Sequence, residues 1–143
     1  MPLMKHIRLF LALALLLWSA VAAAQNQQQI EIDAYKDSLS IKTGIEKAKA
    51  YGEIGYRYRY INRDSAWHYT LMANEMAVEY KDVNLQSRTL MNIGILQLEE
   101  GSFDKSEVSL KSALALVDTA KWPKMETYIS HNLGAVYEKT GAM

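Results

Sequence analysis

The chain has 143 residues, half of them apolar, with 16 basic and 16 acidic side chains that cancel. That length suits one domain, and zero net charge without any lysine-rich block argues against nucleic acid or an anionic membrane surface as partner. Zero cysteines exclude thiol catalysis, iron–sulfur clusters and cysteine zinc sites, so the core must hold by packing alone.

Residues 1–24 read as a secretory signal peptide. Lys5 and Arg8 form a basic start, Leu9 to Leu17 is an unbroken apolar run, and Ala22 and Ala24 fit an A-x-A cleavage pattern ahead of Gln25. The competing reading is an uncleaved anchor. The run from Leu9 to Ala24 falls short of the roughly 20 residues that cross a bilayer core, which favours cleavage. A lipoprotein would need a cysteine at the cleavage point, and there is none.

Residues 25–44 form a lead-in. QNQQQ at 25–29 is polar and expected to be disordered, and a short helix is expected at 30–40. From there the pattern predicts helices at about 43–61, 64–80, 84–100, 104–118 and 123–140, and no strand. Turn formers separate them at Asn62-Arg63-Asp64 and at Gly101-Ser102. Asp64 and Asp104 stand where a helix N-terminus gains from a cap or a negative charge. Pro123 suits a first turn, where its missing N–H costs nothing.

Gly94 and Gly134 each stand in the middle of a predicted helix, at a cost of roughly 1 kcal/mol relative to alanine. Gly94 and Gly101 recur as Gly134 and Gly141, and Asn92 as Asn132, each displaced by forty residues; Gly55 precedes Gly94 by 39. Ala66 matches Ser106 and Ala73 matches Ala113 at the same spacing. A helix–turn–helix unit at such a period is the signature of stacked helical repeats, since one hairpin cannot bury its own apolar face. Close approach of paired helices explains the small residues: Gly55, Gly94 and Gly134 from one side, Ala66, Ala73, Ser106 and Ala113 from the other. Gly101 and Gly141 suit left-handed helix ends.

The units resemble tetratricopeptide repeats (TPRs). Tyr51, Ile54, Gly55 and Tyr58 carry the pattern in the first unit, Leu90, Ile93, Gly94 and Phe103 in the second, and Leu133, Gly134 and Tyr137 in the third. The units run about 45–82, 84–122 and 123–143, the last incomplete. Their period is forty instead of the usual thirty-four, and the closing proline is missing. The resemblance implies an all-α right-handed superhelix, an α-solenoid of stacked helix–turn–helix units. It is similar to repeat arrays of exported bacterial proteins and of sensor kinase and regulator input regions.

No constellation for catalysis stands out: His68 and His131 have no metal-ligand spacing, and no nucleophile motif occurs. The expectation is a protein that is not an enzyme and takes no cofactor and no metal. By the resemblance, the first helix of each unit lines a concave groove for a protein or peptide. That assigns Arg59, Arg88, Asn92, Tyr128, His131 and Asn132 to binding, with Lys49, Glu53, Tyr56, Tyr60, Met91, Ile95, Leu98, Glu99, Ala135, Glu138 and Lys139 beside them. Asn92 and Asn132 stand out, because an asparagine amide can both donate to and accept from a peptide backbone; plain helix-surface polarity is the alternative. The same two readings hold for His131. The five-residue carboxylate clamp of chaperone-binding relatives is absent: only Asn92 matches, with Gly52, Tyr56, Tyr128 and Asn132 in the other places.

Two functions follow. One is a non-catalytic scaffold exported to the periplasm of a Gram-negative bacterium, binding a protein segment in its groove. The other is the extracytoplasmic sensory segment of a two-component kinase or regulator. The third unit stops near Met143, which leads one to expect Leu133, Val136 and Tyr137 to lie open and to drive self-association. Apart from the signal peptide, no membrane span is expected. Cleavage is checked by mass spectrometry of exported material: the mature protein should start at Gln25, and retention of Met1 in the membrane fraction would favour the anchor.

Overall fold

The computed structural model describes residues 2–118 and 121–141, and all regular structure there is helical. The six helices are α1 (Pro2–Ser38), α2 (Gly44–Tyr58), α3 (Arg63–Glu79), α4 (Val83–Glu99), α5 (Phe103–Ala115) and α6 (Pro123–Thr140). From α2 onward the bounds follow the sequence periodicity to within a few residues. The end of the third unit at 142–143 lies outside the described residues.

Each turn has a chemical cause. Asn62 caps α3 by accepting from the Ser65 N–H at 2.9 Å, and Asp82 caps α4 by accepting from the Leu85 N–H at 2.9 Å. Asp64 and Asp104 sit inside the first turns of α3 and α5, where their charge meets the positive helix end. Gly101 and Gly141 take left-handed φ values of 76° and 71°. The Ser102 N–H returns to the Gln97 carbonyl at 2.8 Å, so α4 closes as a Schellman motif. Lys81 occupies the matching place after α3, with φ 54° and the Asp82 N–H on the Ala77 carbonyl.

Two helical hairpins, α2/α3 and α4/α5, pack side by side, with α6 against α5 and α1 along α2. At the contact inside each hairpin there is no room for a methyl group. A Cβ on Gly55 would lie 2.5 Å from Thr70 Oγ1 and 2.8 Å from the Thr70 backbone nitrogen. A Cβ on Gly94 would lie 2.6 Å from Leu110 Cγ and 3.3 Å from the Ser106 carbonyl oxygen. Ala66, Ala73, Ser106 and Ala113 are fully buried on the facing side, and the Ser106 hydroxyl donates to the Gly94 carbonyl at 2.7 Å. Gly52 differs: its Cβ position lies 3.5 Å from Leu85 and 3.7 Å from Ala73, an ordinary van der Waals contact that leaves room for a methyl.

Three sequence expectations are corrected. Residues 25–29 are helical, and the short helix at 30–40 is the end of α1. Nothing between Ala24 and Ser38 breaks a helix, and Gln29 donates to Asp33 at 2.8 Å one turn on. The exposed part, residues 6–27, passes into a docked part where Ile32 is fully buried with Ile54 and Tyr58. Lys36 Nζ donates to the Tyr58 hydroxyl at 2.6 Å. Second, no helix among the described residues packs on Gly134, whose Cβ position meets none of them within 4 Å. It lies on the exposed side of α6 with Thr127, His131 and Glu138. Third, the apolar face of α6 is covered. Ile129, Leu133 and Val136 are buried against Leu110 and Ala113 of α5, and the Tyr137 hydroxyl reaches Glu107 at 3.3 Å. The side of α6 left to solvent is mostly small or polar, which removes the ground on which self-association was expected.

The glycines separate packing from helix propensity. Gly55→Ala and Gly94→Ala should each destabilise by about 1–3 kcal/mol through overpacking, most at Gly55, where backbone blocks the methyl. Gly134→Ala should stabilise by up to about 1 kcal/mol, since it only gains helix propensity. Denaturant melts of the three variants check the signs.

Candidate binding groove

The first helices of the hairpins, α2 and α4, lie next to each other, and α6 lies next to α4. Their shared side forms a cavity of about 680 Å³, open to solvent. Helix periodicity explains its lining. Glu53, Tyr56 and Arg59 come from one stripe of α2. Arg88, Met91, Asn92, Ile95, Leu98 and Glu99 come from α4, and Lys124, Met125, Tyr128, His131 and Asn132 from α6.

All six residues assigned to binding therefore border one cavity. Of the neighbours assigned beside them, Tyr60, Ala135, Glu138 and Lys139 do not line it, and Lys49 borders a separate shallow pocket with Asp82 and Asn84. Lys124 and Met125 were missed. They sit one turn before Tyr128, so extending the α6 stripe by i−4 and i−3 would have found them.

The two asparagines are not equivalent. Asn132 Nδ2 donates to the Tyr128 carbonyl of its own helix at 2.7 Å. Asn92 is only 8% exposed, and its Oδ1 is buried without any hydrogen-bond partner. A buried acceptor left unmatched costs roughly 1–3 kcal/mol, and this one is shielded from solvent although its residue lines the cavity.

Arginines hold both carboxylates of the cavity. Glu53 accepts from Arg88 at 2.6 Å and from Arg57 at 2.5 Å, and Arg57 also binds Glu31 of α1 at 2.8 Å. Burial pushes the Glu53 carboxyl up, but hydrogen bonds from Arg88 and Arg57 outweigh it and hold the group below its ordinary 4.5. Arg57 likewise holds the Glu31 carboxyl below its ordinary value. Glu99 pairs with Arg59 at 3.3 Å and with Arg63 at 3.8 Å. The Arg59 side chain is only 13% exposed, and its guanidinium lies over the rings of Tyr56 and Tyr60. Its buried Nε is within ion-pair reach of Glu99 but outside hydrogen-bond geometry.

Apart from Lys124 and His131, the rest of the lining is apolar or aromatic. Met91, Ile95, Leu98 and Met125 line the cavity, and Tyr128 stands at its edge, 62% exposed. Such a surface takes apolar side chains, and the flexible thioethers adapt to their shape. Among the described residues no group of three histidine, aspartate or glutamate side chains is placed to hold a metal ion. No protein-family model, curated protein or solved structure matches the chain.

The Glu53 pairs set an acid limb. A carboxyl whose folded pKa is lowered stabilises the fold above its unfolded value, and that stability is lost as pH falls through the folded value. Stability should therefore decline as pH drops below about 4.5, where an unpaired carboxyl titrates. Glu53→Gln should flatten that decline, as read from melting temperatures between pH 7 and pH 3.

Proposed function

We propose that the chain is a non-catalytic scaffold of the TPR kind, exported to the periplasm of a Gram-negative bacterium, that holds an extended protein segment in the groove of α2, α4 and α6. On this reading the hairpins continue as a right-handed superhelix, and the groove is its concave side. The observation that carries the reading is Asn92: a nearly buried amide whose oxygen has no partner, on the wall of an open cavity with apolar lining. Once the Asn92 amide, closed to solvent here, turns into the cavity, the backbone N–H groups of an extended peptide satisfy it, and apolar side chains cover the methionines. Export is supported by the order of basic residues, apolar run and small residues at the N-terminus. The exposed helix they form is long and apolar enough to cross a membrane, as signal sequences and anchors both are.

Binding is tested with a peptide selected on the protein from a randomised library. Loss of one neutral hydrogen bond is worth about 0.5–1.5 kcal/mol, so Asn92→Ala should weaken that peptide roughly 2- to 13-fold. Val108→Ser, an exposed change on α5, should leave it unaltered. Equal effects of the two substitutions in fluorescence anisotropy would place the peptide elsewhere.

A further inference from the structure

The charge around the groove is uneven although the whole chain is balanced. Each carboxylate lining the cavity is claimed by two arginines: Glu53 by Arg57 and Arg88, Glu99 by Arg59 and Arg63. Neither carboxylate is left to attract a cation. Lys124, on the first turn of α6, adds a positive charge, and among the described residues it pairs with no carboxylate. Glu126 shares that turn but does not line the cavity. The positive end of the α6 dipole lies at the same place. Between the uncommitted lysine and the uncommitted Asn92 oxygen the lining is mainly apolar.

We propose that the groove selects an acidic internal segment: extended chain in which an aspartate or glutamate stands close to a large apolar residue. The inference rests on the peptide-binding reading and adds its chemistry. The apolar side chain lies on Met91, Ile95 and Met125. The Asn92 amide turns outward to accept a backbone N–H, and the carboxylate meets Lys124. A basic segment would set its charge against Lys124, Arg59 and Arg88 on the cavity wall, with both acidic side chains already engaged. Like-charge juxtaposition of that kind is how a binding surface rejects wrong partners. A free C-terminus is not required, since the arginines that would grip one are held by Glu53 and Glu99.

The test is an mRNA-displayed library of random decapeptides inside fixed Gly-Ser flanks, so that every probe is internal. It is selected on the full chain as recovered from an exporting host. Selected sequences should combine Asp or Glu with Leu, Met, Phe or Tyr, and their affinity should fall with added salt. Lys124→Glu should weaken the acidic peptide by about tenfold, as reversal of a contacting charge does. Its serine-substituted counterpart should bind both forms alike. Lys124 is exposed, and a glutamate on a first turn is favourable, so the variant keeps its fold. Enrichment of neutral or basic sequences that still need Asn92 would overturn the acidic preference and leave peptide binding standing. No enrichment at all would overturn both. Enriched acidic sequences indifferent to Lys124→Glu would overturn the role given to that lysine.

Discussion

The structure depends on how closely the two helices of each hairpin approach. Gly55 meets Thr70, and Gly94 meets Leu110 and Ser106, at distances no side chain could occupy. Interaxial distance in helix pairs follows the side chains at the contact, so these glycines set the spacing inside each hairpin. The hairpins then stack through α3 against α4 and α5 against α6. The lateral positions of α2, α4 and α6, and hence the walls of the groove, follow from contacts made on their opposite sides. The methyl groups missing at Gly55 and Gly94 in that sense shape the groove, though neither glycine borders it.

Onto that spacing the ion pairs impose a second order. The path Glu31, Arg57, Glu53, Arg88 runs from α1 through α2 to α4 in three contacts of 2.8 Å or less. It ties the docked end of the N-terminal helix to the groove wall. The partly buried Glu53 stays charged because two guanidiniums replace the water it has lost. Such pairs contribute less to stability than to placement, since their attraction is offset by desolvation. Their consequence here is directional: they neutralise the acidic side chains of the groove and leave its positive charge and its apolar lining exposed.

The fold was legible largely because its rules are local. The bounds of α2 to α6 follow from apolar periodicity, from turn formers, and from glycines at forty-residue spacing. Asn92 was singled out by the resemblance, which assigns the first helix of each unit to a groove, and by the two-way hydrogen bonding of an asparagine amide. Gly134 shows the limit of that reasoning. It repeats Gly94 in sequence, but a packing glycine is defined by a partner helix, and among the described residues nothing comes near it. Leu133 and Val136 failed in the opposite direction. Their burial by α5 depends on the angle at which α6 returns, which no pattern within α6 encodes. α1 failed for a third reason: Gln and Glu around residue 28 are tolerable in helix or coil, and docking of Ile32 decides between them.

By itself, the sequence determined that the chain is helical, where α2 to α6 begin and end to within a few residues, and which residues share a face. Those properties follow from backbone sterics, side-chain propensity and a period of 3.6, all of which act over a few residues. Tertiary structure alone decided that Asn92 Oδ1 is buried without a partner while Asn132 folds back on its own helix. It also decided that Glu53 and Glu99 are each taken by two arginines, and that Lys124 is left over. Pairing and burial are properties of groups brought together from distant parts of the chain. Arg88 and Glu53 are 35 residues apart and meet only because two hairpins stack, α3 against α4.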